Sequence, residues 1–159
     1  MQVSEVRLRP FTPADAPVVA SWLDAPGVAA PSGSLANRWA ALLAAGGKAR
    51  GYVATSNGEP VGLVRLDIGP DRVAELTLAV ARSCRRTGLG TRLLSLVLDE
   101  AKSLRIRRLQ AIVDIANAPA LAFFSNLAFE ETRSLPGSIT FVRWLHDAEA
   151  LTLDMQAQA

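Results

Sequence analysis

The sequence predicts an α/β (α+β) fold, a mixed and mostly antiparallel central sheet with one parallel strand-helix-strand unit and helices on both faces. Three stretches predict it. Residues 51–55 and 60–68 read as strands joined by Ser56-Asn57-Gly58-Glu59, and Asn-Gly is the dipeptide that two-residue hairpins demand. Val73 to Val80 reads as a strand that passes through a basic, glycine-containing turn into a helix over about 89–104 and then into a strand over 108–115. A strand-helix-strand crossover of that length builds a parallel pair. A last pair of strands, 130–134 and 138–144, folds around Pro136-Gly137.

The remaining elements follow in order. Val6 and Leu8 alternate with Arg7 and Arg9, as in a half-buried first strand. Thr12, Pro13 and Asp15 mark a helix start, with Val18, Val19, Trp22 and Leu23 as its inward stripe and Pro26-Gly27 as its stop. A turn-rich stretch over 25–34 leads to a second helix over about 35–45, carrying Leu35, Trp39, Leu42 and Leu43 at helical spacing and ending at Gly46-Gly47. Asn117 caps a helix that has Pro119 in its first turn and Leu121, Phe124 and Leu127 facing inward. The tail 147–159 receives no assignment.

At 159 residues, the chain is expected to form a single domain over 1–159 with its core at about 5–145. A formal charge of +2 is too small to imply nucleic acid as a partner, and the arginines at 82–92 have no aromatic residues among them. Cys84 is the only cysteine, so no intrachain disulfide forms. The N-terminus has no signal-peptide core and no apolar run reaches the length of a membrane span, so a cytoplasmic protein without membrane partners is expected. No metal site is predicted.

Chemistry concentrates in the turn Arg85-Arg86-Thr87-Gly88-Leu89-Gly90-Thr91. Unpaired N–H groups at a helix start bind phosphate, and glycines let an anion approach the backbone closely. A glycine-rich helix start with no ligand is the plain alternative. A dinucleotide fingerprint requires glycine where Leu93 stands, and the Gly-Lys-Ser/Thr of a phosphate-binding P-loop is absent.

The spacing Arg85-x-x-Gly88-x-Gly90 resembles the Arg/Gln-x-x-Gly-x-Gly/Ala motif of the GNAT acetyltransferases. A second stretch, Asn117-x-x-Ala120-x-x-Phe123-Phe124-x-x-Leu127-Ala128-Phe129, is similar to that family's Asn-x-x-Ala-x-x-Leu/Phe-Tyr-x-x-Leu-Gly-Phe. The element order matches over about 5–145. The resemblance implies an acetyl-CoA-dependent N-acetyltransferase acting on a small-molecule or peptide amine, as a monomer or homodimer. It further implies that the backbone at Leu78, Ala79 and Val80 pairs with the pantetheine arm and that the turn 85–91 holds the pyrophosphate. Asn117 and Phe124 would complete the coenzyme site, with Asn117 reaching the arm or serving as a helix cap.

Glu75 is the candidate general base, on the same strand face as Thr77 and Ala79. A carboxylate in an otherwise apolar strand is expected to be desolvated into the range useful at neutral pH. Its bland alternative is a salt bridge with Arg65; Asp67 and Asp114 are weaker bases. Phe124 departs from the family pattern, which has a proton-donating tyrosine there. A catalytically weak acyl-CoA-binding or sensing module is therefore the alternative function.

Overall fold

The computed structural model describes residues 5–23, 48–85 and 87–145. The helix expected over 35–45, the segment 25–34, Arg86 and the tail 147–159 lie outside the described residues. The strands are β1 (Val6–Pro10), β2 (Ala49–Ser56), β3 (Glu59–Ile68), β4 (Val73–Val80), β5 (Arg108–Asp114), β6 (Glu130–Leu135) and β7 (Ser138–Trp144). The described α-helices are α1 (Ala16–Leu23), α2 (Leu89–Ser103) and α3 (Ala118–Asn126). The strands form one sheet in the order β1-β2-β3-β4-β5-β7-β6, in which only β4 and β5 run parallel.

Local chemistry sets the turns. Asn57 and Gly58 both adopt positive φ, 54° and 80°, the backbone of a type I′ hairpin between β2 and β3. Before α1, Thr12 starts a 3₁₀ turn (Pro13–Asp15), and the Asp15 carboxylate turns back to accept the N–H and the hydroxyl of Thr12. The helix phase follows from that start. Val19 and Trp22 are buried on one stripe with Asp15, whereas Val18, expected inside, is 43% exposed.

Register assigns the faces. A Cβ on Gly62 would stand 2.9 Å from Leu93 Cδ2, so α2 lies directly over Gly62. By alternation Val64 and Leu66 of β3, and their partners Leu78 and Leu76 of β4, share that face. Helix α3 covers the same face further along, with Phe124 stacked on Phe141 and in edge contact with Phe123 and Phe129. Helix α1 touches β3 and β4 and lies on the opposite face, towards which Leu63, Thr77 and Glu75 point. Leu63, Val64 and Leu66 are fully buried, so β3 is the apolar spine between the layers.

Candidate active site

Strand β4 has two unlike edges. Along β3 it is paired from Ala74 to Val80, while along β5 the pairing is confined to Val73↔Arg108, Ala74↔Leu109 and Glu75↔Gln110. Beyond Glu75 the two strands part, and the sheet forks.

The direction of the β4 backbone groups follows from the flanking hydrogen bonds. Ala81 N–H donates to Val61 O, and Val73 O accepts from Gly69 N–H, so the odd-numbered residues aim their polar groups at β3. The even-numbered residues Leu76, Leu78 and Val80 therefore aim theirs into the fork. Arg85 Nε, 3.4 Å from Val80 O, approaches that carbonyl from the fork side. Leu78 and Val80 thus turn backbone groups towards the fork, whereas the Ala79 peptide groups belong to the β3 ladder. This corrects the expectation that all three meet a ligand through the backbone.

The turn at the open end of the fork is built from unlike parts. Cys84 is buried, and the Thr87 hydroxyl closes the turn by donating to Cys84 O. Gly88 is the N-cap of α2 at φ 79°, a left-handed conformation, and a Cβ there would meet nothing within 4 Å. Gly90 is small for a different reason, since a Cβ there would lie 2.9 Å from Phe123 Cε2. The first intrahelical bond runs from Arg92 N–H to Gly88 O, which leaves the N–H groups of Leu89, Gly90 and Thr91 without an intrahelical acceptor at the positive end of the helix. The Leu89 side chain is core, so only its backbone is available there; Thr91 is exposed.

Asn117 marks the other prong of the fork. Its Oδ1 accepts from Ala120 N–H at 3.3 Å, the expected cap of α3. Phe124 is only 7% exposed and wrapped by three other phenylalanines, so the position of the family's tyrosine is packed closed. Glu75 and Phe124 lie on opposite faces of the sheet with the fork between them.

Two expectations about Glu75 are corrected. Its side chain is exposed, not desolvated. Arg65 is not its partner, since the Arg65 guanidinium is committed to Asp67 through Nε–Oδ2 and Nη2–Oδ1 contacts of 2.9 Å each. Among the described residues no cation pairs with Glu75. Sequence patterning missed that Asp67 lies directly opposite Glu75 on β3. The hairpin signal implies that register once its two-residue turn is placed.

The family model of the GNAT acetyltransferases matches residues 17–129. The chain belongs to that family. No curated protein sequence matches it. Among solved structures it is similar to an acetyltransferase from Thermus thermophilus, with 28% identity and a TM-score of 0.75 over 91% of this chain and 100% of the other. It also resembles the ribosomal-protein-S18-alanine N-acetyltransferase of Escherichia coli, with 21% identity and a TM-score of 0.73 over 91% and 96% of the two chains. A spermidine N-acetyltransferase from Vibrio cholerae shares the fold at 17% identity, with a TM-score of 0.76 over 88% and 94%. No described helix of this GNAT protein is long and apolar enough to cross a membrane. Its described residues gather no group of three or more metal-ligating side chains.

Proposed function

We propose that this GNAT protein transfers an acetyl group from acetyl-CoA directly to a primary amine, with Glu75 receiving the amine's proton. The observation that carries the reading is the fork, where Leu78 and Val80 turn their backbone N–H groups into the gap that opens after Glu75↔Gln110, beside a helix start with free amides. Ligands of open parallel units bind outside the carboxyl ends of the strands, and this fork opens at that end.

Two features fit the coenzyme. The open space at Gly88 leaves the amides of Leu89, Gly90 and Thr91 accessible to a pyrophosphate, and Arg85 adds charge beside them. The outward groups of Leu78 and Val80 suit an amide-bearing arm laid along β4 as an added strand, with Asn117 on the facing prong. Bound there, acetyl-CoA supplies an acyl group activated as a thioester. An outward N–H of β4 serves as the donor to the developing oxyanion. The exposed carboxylate of Glu75 takes the proton directly or through one water.

The side chains around Phe124 offer no acid to the departing thiolate. A thiol with an ordinary pKa of about 8.5 leaves without one at modest cost. The packed Phe124 also favours a second reading, a module that binds acyl-CoA and transfers slowly.

Thiol release from acetyl-CoA with a panel of amines separates the two. Amine-dependent release supports transfer; tight binding without release supports the module. Glu75→Gln is expected to lower turnover by about 10²-fold or more with little change in acetyl-CoA affinity. An unchanged pH–rate profile in that variant would move the base to water or another carboxylate.

A further inference from the structure

The foot of the fork carries more chemistry than one base. Asp67 and Glu75 are cross-strand neighbours, and Glu75 is in turn level with Gln110 on β5. Like charges placed opposite each other on a sheet repel, so the arrangement calls for compensation. Arg65, two residues along β3 on the same face, supplies it for Asp67 alone. Among the described residues, the Arg65-Asp67-Glu75 group therefore keeps a single surplus negative charge.

The other side of the fork is apolar at the next level. Ile112 follows Gln110 by two residues on β5, shares the face of Glu75, and is 42% exposed on a strand interior to the sheet. Two strand residues span roughly 6–7 Å. Of the other described charges on this face of β5, Arg108 lies against the Trp144 ring at 5.1 Å, and Asp114 accepts Ala116 N–H at the far end of the strand. A substrate that reaches the base along the fork thus meets one uncompensated charge and, one step away, an exposed aliphatic side chain.

We propose that Asp67, positioned by Arg65, and Ile112 determine the acceptor, selecting a singly charged alkylamine over a diamine or polyamine. The ammonium lies between Glu75 and Asp67, and its carbon chain rests on Ile112. A second ammonium about five carbons away falls on Ile112, one strand step short of Asp114, whose Oδ1 is engaged by Ala116 N–H, and desolvation against the aliphatic side chain disfavours it. The inference rests on the acetyl-transfer reading above and deepens it.

A matched pair of probes tests it: n-pentylamine and 1,5-diaminopentane, compared by kcat/KM for thiol release, with acetyl-CoA affinity measured separately. The parent is expected to favour the monoamine by about 10-fold, the scale of discrimination that a single apolar contact provides. Ile112→Glu places an anion where the second ammonium falls and is expected to reverse the preference. Asp67→Asn is expected to raise KM for both amines about 10-fold and to leave acetyl-CoA affinity unchanged. Equal or better use of the diamine by the parent, or an unmoved preference in Ile112→Glu, overturns the proposal. Transfer to neither amine by a protein that acetylates another amine of the panel overturns the acceptor assignment alone. Failure to bind acetyl-CoA overturns the underlying reading and the inference with it.

Discussion

The corner where β1 enters α1 and the fork where β4 leaves β5 each hold a carboxylate, and they treat it in opposite ways. At the corner, Asp15 is 7% exposed and fully engaged. It receives both Nη groups of Arg9 at 2.7 and 2.8 Å, together with the Thr12 N–H and hydroxyl. The Arg9 hydrogen bonds hold its pKa at about 2, against the desolvation that would raise it. At the fork, Glu75 is exposed and has no cation of its own among the described residues, and its strand continues to Val80 beyond the last pairing with β5. The corner is satisfied internally and contributes stability. The fork withholds its bonding capacity, which is what a ligand can use.

The largest effects should come from testing the two edges of β4 against each other. Proline removes one N–H and fixes φ, and where a ladder bond is lost the acceptor left unsatisfied costs about 1–3 kcal/mol on top of any clash of the ring. Thr77→Pro removes an N–H aimed at β3 and should lower the unfolding free energy by that much. Leu78→Pro removes one aimed into the fork. It should cost less stability but weaken acetyl-CoA binding, and denaturation with calorimetry on both variants would check the contrast. Equal destabilisation by the two would show that β4 has no free edge.

Next in size is Phe124→Tyr, which probes the closed face beneath the fork. A hydroxyl buried among Phe123, Phe129 and Phe141 without a partner should cost about 1–3 kcal/mol and bring no faster turnover. A variant as stable as the parent and several-fold faster would show that the position is an empty acid site.

The corner has its own pH signature. The folded pKa of Asp15 lies near 2 and its ordinary value is 3.8, so its contribution is complete above about pH 4 and is lost as pH falls towards 2. The shift corresponds to about 2 kcal/mol at most, reduced towards 1 kcal/mol because Arg9 is partly exposed. Urea midpoints between pH 2 and pH 5 should therefore fall more steeply for the parent than for Asp15→Asn. Transfer activity at neutral pH should be alike in the two, the opposite of what is expected for Glu75→Gln.

The smallest expected effect is a gain. Ala128 adopts φ 61° just after α3, at the position where the GNAT pattern has glycine. Ala128→Gly relieves a left-handed alanine and should raise stability by about 0.5–1 kcal/mol in thermal or chemical unfolding. No gain would mean that the strain is offset in the unfolded chain.

Much of this architecture was legible in the sequence because local rules carried it. Asn57-Gly58 specified a hairpin, and the Val73–Asp114 stretch specified a parallel crossover. Asn117 was readable as a cap. What escaped depends on neighbours distant in the chain or on exact phase. Val18 points outward because the 3₁₀ turn at Pro13–Asp15 sets the rotation of α1. Glu75 reads as buried from its apolar strand, yet its exposure depends on what covers that face. Gly88 and Gly90 look alike in the motif, but one is required by its own φ and the other by the Phe123 ring. The pairing of Arg65 with Asp67 was hidden because two carboxylates on one sheet face, Asp67 of β3 and Glu75 of β4, compete for the same guanidinium.

The alternation along β4 also bears on how its amides exchange with solvent. The N–H groups of Glu75, Thr77 and Ala79 are locked into the β3 ladder, while those of Leu78 and Val80 have no β5 pairing beyond them once that strand has turned away. Beyond Leu76 the strand should therefore carry two interleaved clocks, slow at Thr77 and Ala79 and fast at Leu78 and Val80, visible residue by residue in deuterium uptake. A ligand lying in the fork as an extra strand would slow the fast clock and leave the other unchanged, so the imprint of the coenzyme arm could be read from the backbone alone.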